Sequence, residues 1–228
     1  MTVITSQKID EKWISPLKTI GYTAPISVIS MTKAASTNPE LQKHLQRLFE
    51  SFCIGIRSKK TEVPKQYLEK NGLDYQKLNI GFCSGQFHHR KDDEFRKPYL
   101  ELGVLSPSDA PVNHPDRVAY TCFGTYGVVF PLKNAEGKIV NLYSIRIKTE
   151  AKIEQYLNMD GIFPAHPSPL TRRLYITQTI MDAASIIQSD TLENKEAVMA
   201  LHDGKFLPEH EQVIRNLEML DEIIIIKN

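Results

Sequence analysis

Apolar and polar positions fall into three successive patterns along the chain. From Pro39, the residues Leu41, Leu45, Leu48, Phe49, Phe52 and Ile56 recur at helical spacing. Ser36, Thr37 and Asn38 precede them as cap candidates, with Pro39 where a first helical residue is tolerated, so the spacing predicts a helix with one buried face. A weaker amphipathic stretch, Ile9 to Ile20, carries the single tryptophan, Trp13, and is interrupted by Pro16. The second pattern follows a basic link at Arg57 to Lys60. It begins with a short helix, Pro64 to Asn71, that Gly72 ends as a left-handed cap. Its centre is a hairpin: Tyr126 to Asn134, a turn at Ala135-Glu136-Gly137, then Lys138 to Lys148, both arms rich in β-branched and aromatic residues. Pro131 is expected near an edge or bulge of that sheet. The proline-rich loop GIFPAHPSP, 161–169, closes the region.

From Arg172 the pattern changes again. Strands are expected at Arg173–Gln178, Ala197–Leu201 and the four isoleucines Ile223–Ile226. A helix Ile180–Gln188 capped by Thr179, and another from Pro208 to near Leu220, lie between them. Near-continuous apolar strands alternating with helices describe one wall of a parallel α/β sheet, and such sheets carry their chemistry on turns past the carboxyl ends of their strands. The expected architecture is therefore α/β with an α+β amino-terminal part. It comprises a helical segment over 1–58, a mixed α/β subdomain over 59–165 and a parallel sheet over 166–228.

Composition narrows the function classes. The chain has 228 residues, 28 basic and 27 acidic side chains and a net charge of +1, so nucleic-acid binding must rest on local patches and not on bulk charge. Cys53, Cys83 and Cys122 form no Cys-x-x-Cys pair and read as buried thiols in a reducing cytoplasm. The amino terminus lacks the blocks of a signal peptide, and no apolar run is long enough for a membrane span, so a cytoplasmic protein without a membrane partner is expected.

Five ordered stretches carry a more specific signal: YLEKNGLDYQKLNIGFCSGQFHHR, LELGVLSPS, VVFPLKNAEGKIVNLY, YLNMDGIFP and RRLYITQTIMDAASIIQ. Together, over Val63 to Asn228, they resemble the catalytic core of bacterial DnaG-type DNA primases, and most of all the primase-like toprim proteins of bacterial mobile elements. The resemblance implies a mixed subdomain that supports template DNA, followed by a Rossmann-like toprim sheet. It also implies a nucleotidyltransferase site in which a glutamate after the first toprim strand and a DxD turn after the third hold magnesium. Clustered carboxylates bind hard divalent cations and stabilise phosphoryl-transfer charge. In this sequence the glutamate falls on Gln178, a neutral carboxamide that serves poorly in an anionic cage, and the acidic turn falls past Asn228. The family's Gly-Arg pair appears as Ser144-Ile145, with Arg146 one place later on the opposite strand face, and its template-contacting lysine as Gln155. No cysteine spacing before Val63 matches the family's zinc module, so no zinc is expected.

Several side chains have both a functional and an ordinary reading. Asp182, one turn beyond Gln178, either holds a metal in its place or is a helix carboxylate favoured by the dipole. Asp203 either adds an oxygen ligand or makes a turn with Gly204. His88, His89, Arg90 and Lys91, with Arg96 and Lys97, suit a phosphate-contacting loop, although Asp92, Asp93 and Glu94 offset them. Arg146, Arg172 and Arg173 are further candidates for nucleic-acid contact, Arg172-Arg173 alternatively marking the solvent end of a strand. Cys83, His88, His89, His114 and Cys122 match no zinc template and read as buried thiols and exposed histidines. Tyr126, Phe130, Tyr143 and Tyr156 could stack bases, but on strands they more simply pack the core.

These readings converge on a primase-like protein of replication or mobile-element DNA metabolism that binds single-stranded DNA and, as a pseudoenzyme, is catalytically impaired. One alternative is an active primase completed by a downstream or partner chain. The other is an interaction protein, serving replication or transposition machinery, whose uncovered third toprim strand recruits a partner.

Overall fold

The computed structural model describes residues 2–5, 34–58, 61–110, 118–147 and 153–226. The amphipathic stretch 9–20, with Trp13, lies outside them, as does His114. Along the chain run β1 (Thr2–Thr5), α1 (Ala34–Thr37), α2 (Pro39–Arg57), α3 (Glu62–Lys70), β2 (Gly81–Cys83), α4 (Asp93–Glu101), β3 (Leu105–Ser108) and β4 (Ala119–Cys122). The hairpin strands β5 (Gly127–Lys133) and β6 (Ile139–Arg146) follow, then β7 (Ile153–Tyr156), β8 (Arg173–Thr177), α5 (Ile180–Gln188), β9 (Glu196–Ala200), α6 (Pro208–Arg215) and β10 (Glu222–Ile226). The result is a mixed α/β fold with two four-stranded sheets, β2-β5-β6-β7 and β1-β10-β8-β9, and a β3-β4 ribbon.

Local chemistry accounts for the helix ends. The Asn38 side chain accepts the Glu40 and Leu41 amides ahead of Pro39, so α2 starts where the apolar period begins. Gly72 takes a positive φ of 68°, its amide reaches Glu69 and the Leu73 amide reaches Leu68, which closes α3 with a Schellman pair and buries Leu73. Thr179 caps α5 by accepting the Asp182 amide. The unexpected helix is α4. Its cap, Asp92, accepts the Phe95 amide, and Asp93 and Glu94 occupy the first turn, where the dipole favours negative charge. Pro98 inside it disguised the helix in the sequence.

The antiparallel sheet separates two cores by simple alternation. Val129 and Leu142 face Leu41, Leu45, Leu48, Phe49 and Phe52 of α2, while Val128, Phe130, Tyr143 and Ile145 face a second core. That second core also takes Ile180, Ala183 and Ala184 of α5 and Val198 and Ala200 of β9, so it joins the hairpin to the parallel sheet. Gly81 lets α2 approach β2, since a Cβ there would lie 2.7 Å from Phe52 Cβ. Pro131 lies beyond Val129, where β2 stops pairing with β5, and next to the register shift at Leu132/Lys133, as expected of a strand proline.

In the second sheet, β8 lies between β9 and β10 and runs parallel to both. Leu174, Ile176, Met199, Ile223 and Ile225 pack against Val213, Ile214 and Leu217 in the third core. The expectation of an uncovered third strand is corrected here: β1 pairs antiparallel with β10 through Thr2↔Ile225 to Thr5↔Glu222. The backbone groups of the isoleucine strand are thus paired on both sides, because the first residues of the chain return to its edge. The same strand departs from the helical reading of residues 1–58. On the far edge, Phe163 of the proline-rich loop bridges to Ala200, whose amide donates to the Phe163 carbonyl at 3.1 Å.

Candidate functional site

The carboxyl edge of the parallel sheet gathers the residues past β8 and β9. The Gly204 amide donates to the Gln178 carbonyl at 2.8 Å, the Asp203 amide donates to the Tyr156 hydroxyl at 3.2 Å, and Thr177 Oγ1 donates to the Thr179 carbonyl. Gln178 and Asp203 are therefore neighbours through their turns, Asp203 with a positive φ of 50°. Asp182 is tied back into its own helix start, its Oδ2 accepting Thr179 Oγ1 at 2.7 Å. The carboxamide of Gln178 supplies no charge to this edge. Among the described residues no group of three or more His, Cys, Asp or Glu side chains is placed to hold a metal ion. The residues present at the edge do not fit the anionic cage that magnesium requires.

Behind this edge lies a buried imidazole pair. His202 Nδ1 is 3.4 Å from His210 Nε2, and the Tyr156 ring lies 4.7 Å from that of His202. Burial pushes His202 well below the ordinary histidine range and His210 down to about 4. Tyr143 and Tyr156 are raised above the ordinary phenol range, chiefly by burial. With Phe130 they are core residues, so the packing reading holds for these three. Tyr126, at 36% exposure, is the aromatic left at the surface.

A second constellation forms where β6, β7 and the β3-β4 ribbon meet. Ser106, Thr121, Cys122, Phe123, Thr125, Arg146 and Gln155 line a cavity of about 340 Å³. Gln155 pairs with Ser144, two residues from Arg146 on the same strand face, so strand geometry brings the two positions into one pocket. The Thr125 carbonyl accepts Arg146 Nε at 3.2 Å and orients the guanidinium. One cation, a carboxamide and the Ser106 hydroxyl, with no carboxylate in the lining, suit an anionic oxygen, while the Thr121 and Thr125 hydroxyls donate to the Ser106 and Cys122 carbonyls. Arg146 and Gln155 are each singled out in the sequence, separately. Ser106 and Thr121 come from the β3-β4 ribbon and Thr125 from the turn after it, and the approach of that ribbon to this edge has no sequence signal.

A larger cleft of about 620 Å³ has the opposite character. Glu136, Asp160 and Glu209 line it with His166, and neither lysine nor arginine does. Glu209 is committed inside it, accepting the Gly161 amide at 2.7 Å and facing His166 Nε2 at 3.3 Å. Such a cleft repels phosphate.

The remaining candidates are dispersed. His88 is corrected from an exposed to a buried residue, 5% exposed, because its ring packs between His89 and Tyr120 with Phe87 alongside. His89, Arg90 and Lys91 stay exposed, Lys91 lying over the Phe95 ring at 5.0 Å. Arg172 and Arg173 lie at the amino end of β8, the opposite end of that strand from Gln178. Arg173 bonds Glu196 and has Glu222 on its other side, and Arg172 faces Asp221 at 3.3 Å, so carboxylates already meet their charge. No described helix is long and apolar enough to cross a membrane.

The two sheets joined by a common core define a two-part α/β fold, an antiparallel support followed by a Rossmann-like unit, with candidate chemistry where the parts meet. This is the fold of the DnaG primase catalytic core. The chain superimposes on a DnaG primase catalytic domain bound to ssDNA with a TM-score of 0.61, 15% identity, and coverage of 84% of this chain and 64% of that one. Against the RNA polymerase domain of Mycobacterium tuberculosis primase DnaG in complex with double-stranded DNA the TM-score is 0.65, at 16% identity, covering 82% of this chain and 63% of the other. A DNA primase domain from Pseudomonas aeruginosa gives 0.61 at 15% identity, covering 77% and 58%. The chain thus spans less than two thirds of each of these proteins. No protein-family model matches the sequence, and no curated protein does.

Proposed function

We propose that the chain is a primase-like DNA-binding protein that holds a single strand along the β6-β7 edge, with the Arg146 pocket taking a backbone phosphate. The carrying observation is that Arg146, Gln155 and the Ser106 hydroxyl share one acid-free cavity on a primase-core fold. His89, Arg90 and Lys91 form a separate exposed group on the loop before α4. The fold similarity supports DNA as the ligand class because solved proteins of this fold are bound to DNA. In this reading nucleotidyl transfer is impaired, since Gln178 stands where the primase pattern has a metal-binding glutamate and Asp182 is held by Thr179. The process served is cytoplasmic replication or mobile-element DNA metabolism.

Fluorescence anisotropy with a labelled single-stranded oligonucleotide, over a salt series with and without magnesium, tests this. Salt-sensitive binding indifferent to magnesium is expected, and Arg146→Ala should weaken it and reduce the log-log salt slope by about one. Absence of binding at low salt, or an unaltered slope in Arg146→Ala, overturns the interface. Magnesium-dependent binding accompanied by primer synthesis overturns the impairment and favours an enzyme.

A further inference from the structure

Cys83 ends β2 and Cys122 ends β4, strands of different sheets and 39 residues apart, yet their sulfur atoms are 3.7 Å from each other. Both thiols address one acceptor. The Phe123 carbonyl lies 3.4 Å from Cys83 Sγ and 3.3 Å from Cys122 Sγ. They differ in access: Cys83 is fully buried, whereas Cys122 is half-buried and lines the cavity beside Arg146. The third cysteine, Cys53, is engaged elsewhere, its sulfur 3.5 Å from Asn79 Oδ1.

We propose that Cys83 and Cys122 are a redox modification site, in which a peroxide entering the cavity oxidises Cys122 and Cys83 completes an intramolecular disulfide. In the first step a sulfur electron pair of Cys122 attacks one peroxide oxygen. The O–O bond breaks, and Cys122 sulfenic acid and one water result. In the second, Cys83 sulfur attacks the Cys122 sulfur, the S–O bond breaks, and the departing hydroxide takes the Cys83 proton as a second water. Two thiols lose two electrons and two protons, and the peroxide is reduced to two waters. The sulfurs close from 3.7 Å to the ~2.05 Å of an S–S bond, a movement the Cys122 side chain and the following turn must supply. The contact with Cys83 and burial hold the Cys122 thiol above the ordinary range, so it is protonated at neutral pH and responds slowly, to sustained peroxide. A disulfide in a reducing compartment is then transient, as expected of a sensor and not of a staple.

The pair is also wired to the proposed interface. Thr125 donates through Oγ1 to the Cys122 carbonyl at 2.7 Å and accepts Arg146 Nε through its own carbonyl, so displacement of Cys122 moves the support of Arg146. This consequence rests on the DNA-binding reading, whereas the thiol chemistry does not.

The test uses the full chain, reduced, desalted, exposed to millimolar hydrogen peroxide, then denatured and alkylated with N-ethylmaleimide for intact mass and peptide mapping. Reduced protein should carry an adduct on each of its three cysteines. Oxidised protein should carry one, on Cys53, with a loss of about 2 Da, a linked Cys83–Cys122 peptide and full recovery under dithiothreitol. In Cys83→Ser, Cys122 should stop at a sulfenic acid trapped by dimedone. Full alkylation after peroxide, or over-oxidised Cys122 with Cys83 still alkylated, overturns the site. Both are read on the unaltered protein, so misfolding of a variant cannot rescue it. Anisotropy on the same samples separates the two readings. Weaker binding after oxidation supports the link to Arg146, equal binding by the disulfide form overturns that link alone, and no binding in the reduced form defeats the DNA reading while leaving the disulfide intact.

Discussion

Acidification should unfold this protein in a pH window set by the His202–His210 pair. The Leu207 amide donates to His210 Nδ1 at 2.9 Å, so neutral His210 carries its proton on Nε2, directed at His202 Nδ1. Protonating His210 removes the acceptor of Leu207 and places a charge against His202 in a site walled by Phe206 and Tyr156. Burial opposes that charge, with a smaller push from His166, and outweighs the favourable Glu209 carboxylate and Ala200 carbonyl, taking His210 from 6.5 to about 4. His202 moves in the same direction for the same first cause. Because the folded pKa is depressed, the unfolded chain binds the extra proton first. The stability contribution is complete above pH ~6.5, falls as pH drops, and is gone below pH ~4. The shift in His210 is worth about 3 kcal/mol in total, of which about 2 kcal/mol is lost by pH 5. Urea unfolding between pH 7.5 and 5 reads this, with His210→Gln as the variant that retains an acceptor for Leu207 and cannot titrate. The wild-type curve should fall by about 2 kcal/mol more than that of the variant. Parallel profiles would refute the assignment. Glu209, held below the ordinary carboxylate range by His166 and the Gly161 amide despite its burial, acts in a separate window, losing its contribution below pH ~4.5.

Gly81→Ala should cost about 1–3 kcal/mol in denaturant unfolding, because the new methyl meets Phe52 Cβ at 2.7 Å and Phe52 C at 3.2 Å; an unchanged midpoint would show that α2 rides further from β2. Asn141→Ala should cost at least about 3 kcal/mol, since the buried carboxamide donates to the Asn158 and Asp160 carbonyls and accepts the Leu142 and Asn158 amides; a loss below 1 kcal/mol would mean water replaces it. Thr179→Ala should cost about 1 kcal/mol through the lost cap of α5, measured the same way, with Thr179→Ser restoring most of it.

The elements that rest on local chemistry were legible in the residues. The period through Leu41 to Ile56, the Gly72 stop, the hairpin turn at Ala135 to Gly137 and the Thr179 cap each encode a structure within a few residues, and each appears as its local chemistry requires. Helix α4 was hidden because Pro98 and a dense run of charge read locally as loop, while the Asp92 cap and burial of Tyr99 make it helical. His88 misled for a related reason: a histidine beside basic residues reads as exposed until the Phe87 and Tyr120 rings close over it. The pocket at Arg146 was half visible, since strand alternation defines which neighbours share a face but not which other strand arrives beside them.

Sequence alone therefore determined the long helix from Pro39, the central hairpin, the order and parallel character of the elements from Arg173 onward, the resemblance to a primase core and the neutral side chain at Gln178, all properties of residue type and short-range spacing. Tertiary structure alone decided what covers the isoleucine strand, since β1 comes from the opposite end of the chain. It also decided that Arg172 and Arg173 meet carboxylates and that Cys83 and Cys122 touch across 39 residues. Contacts of that kind depend on how separate hydrophobic faces close over one another, and the closing geometry is set by the whole core at once.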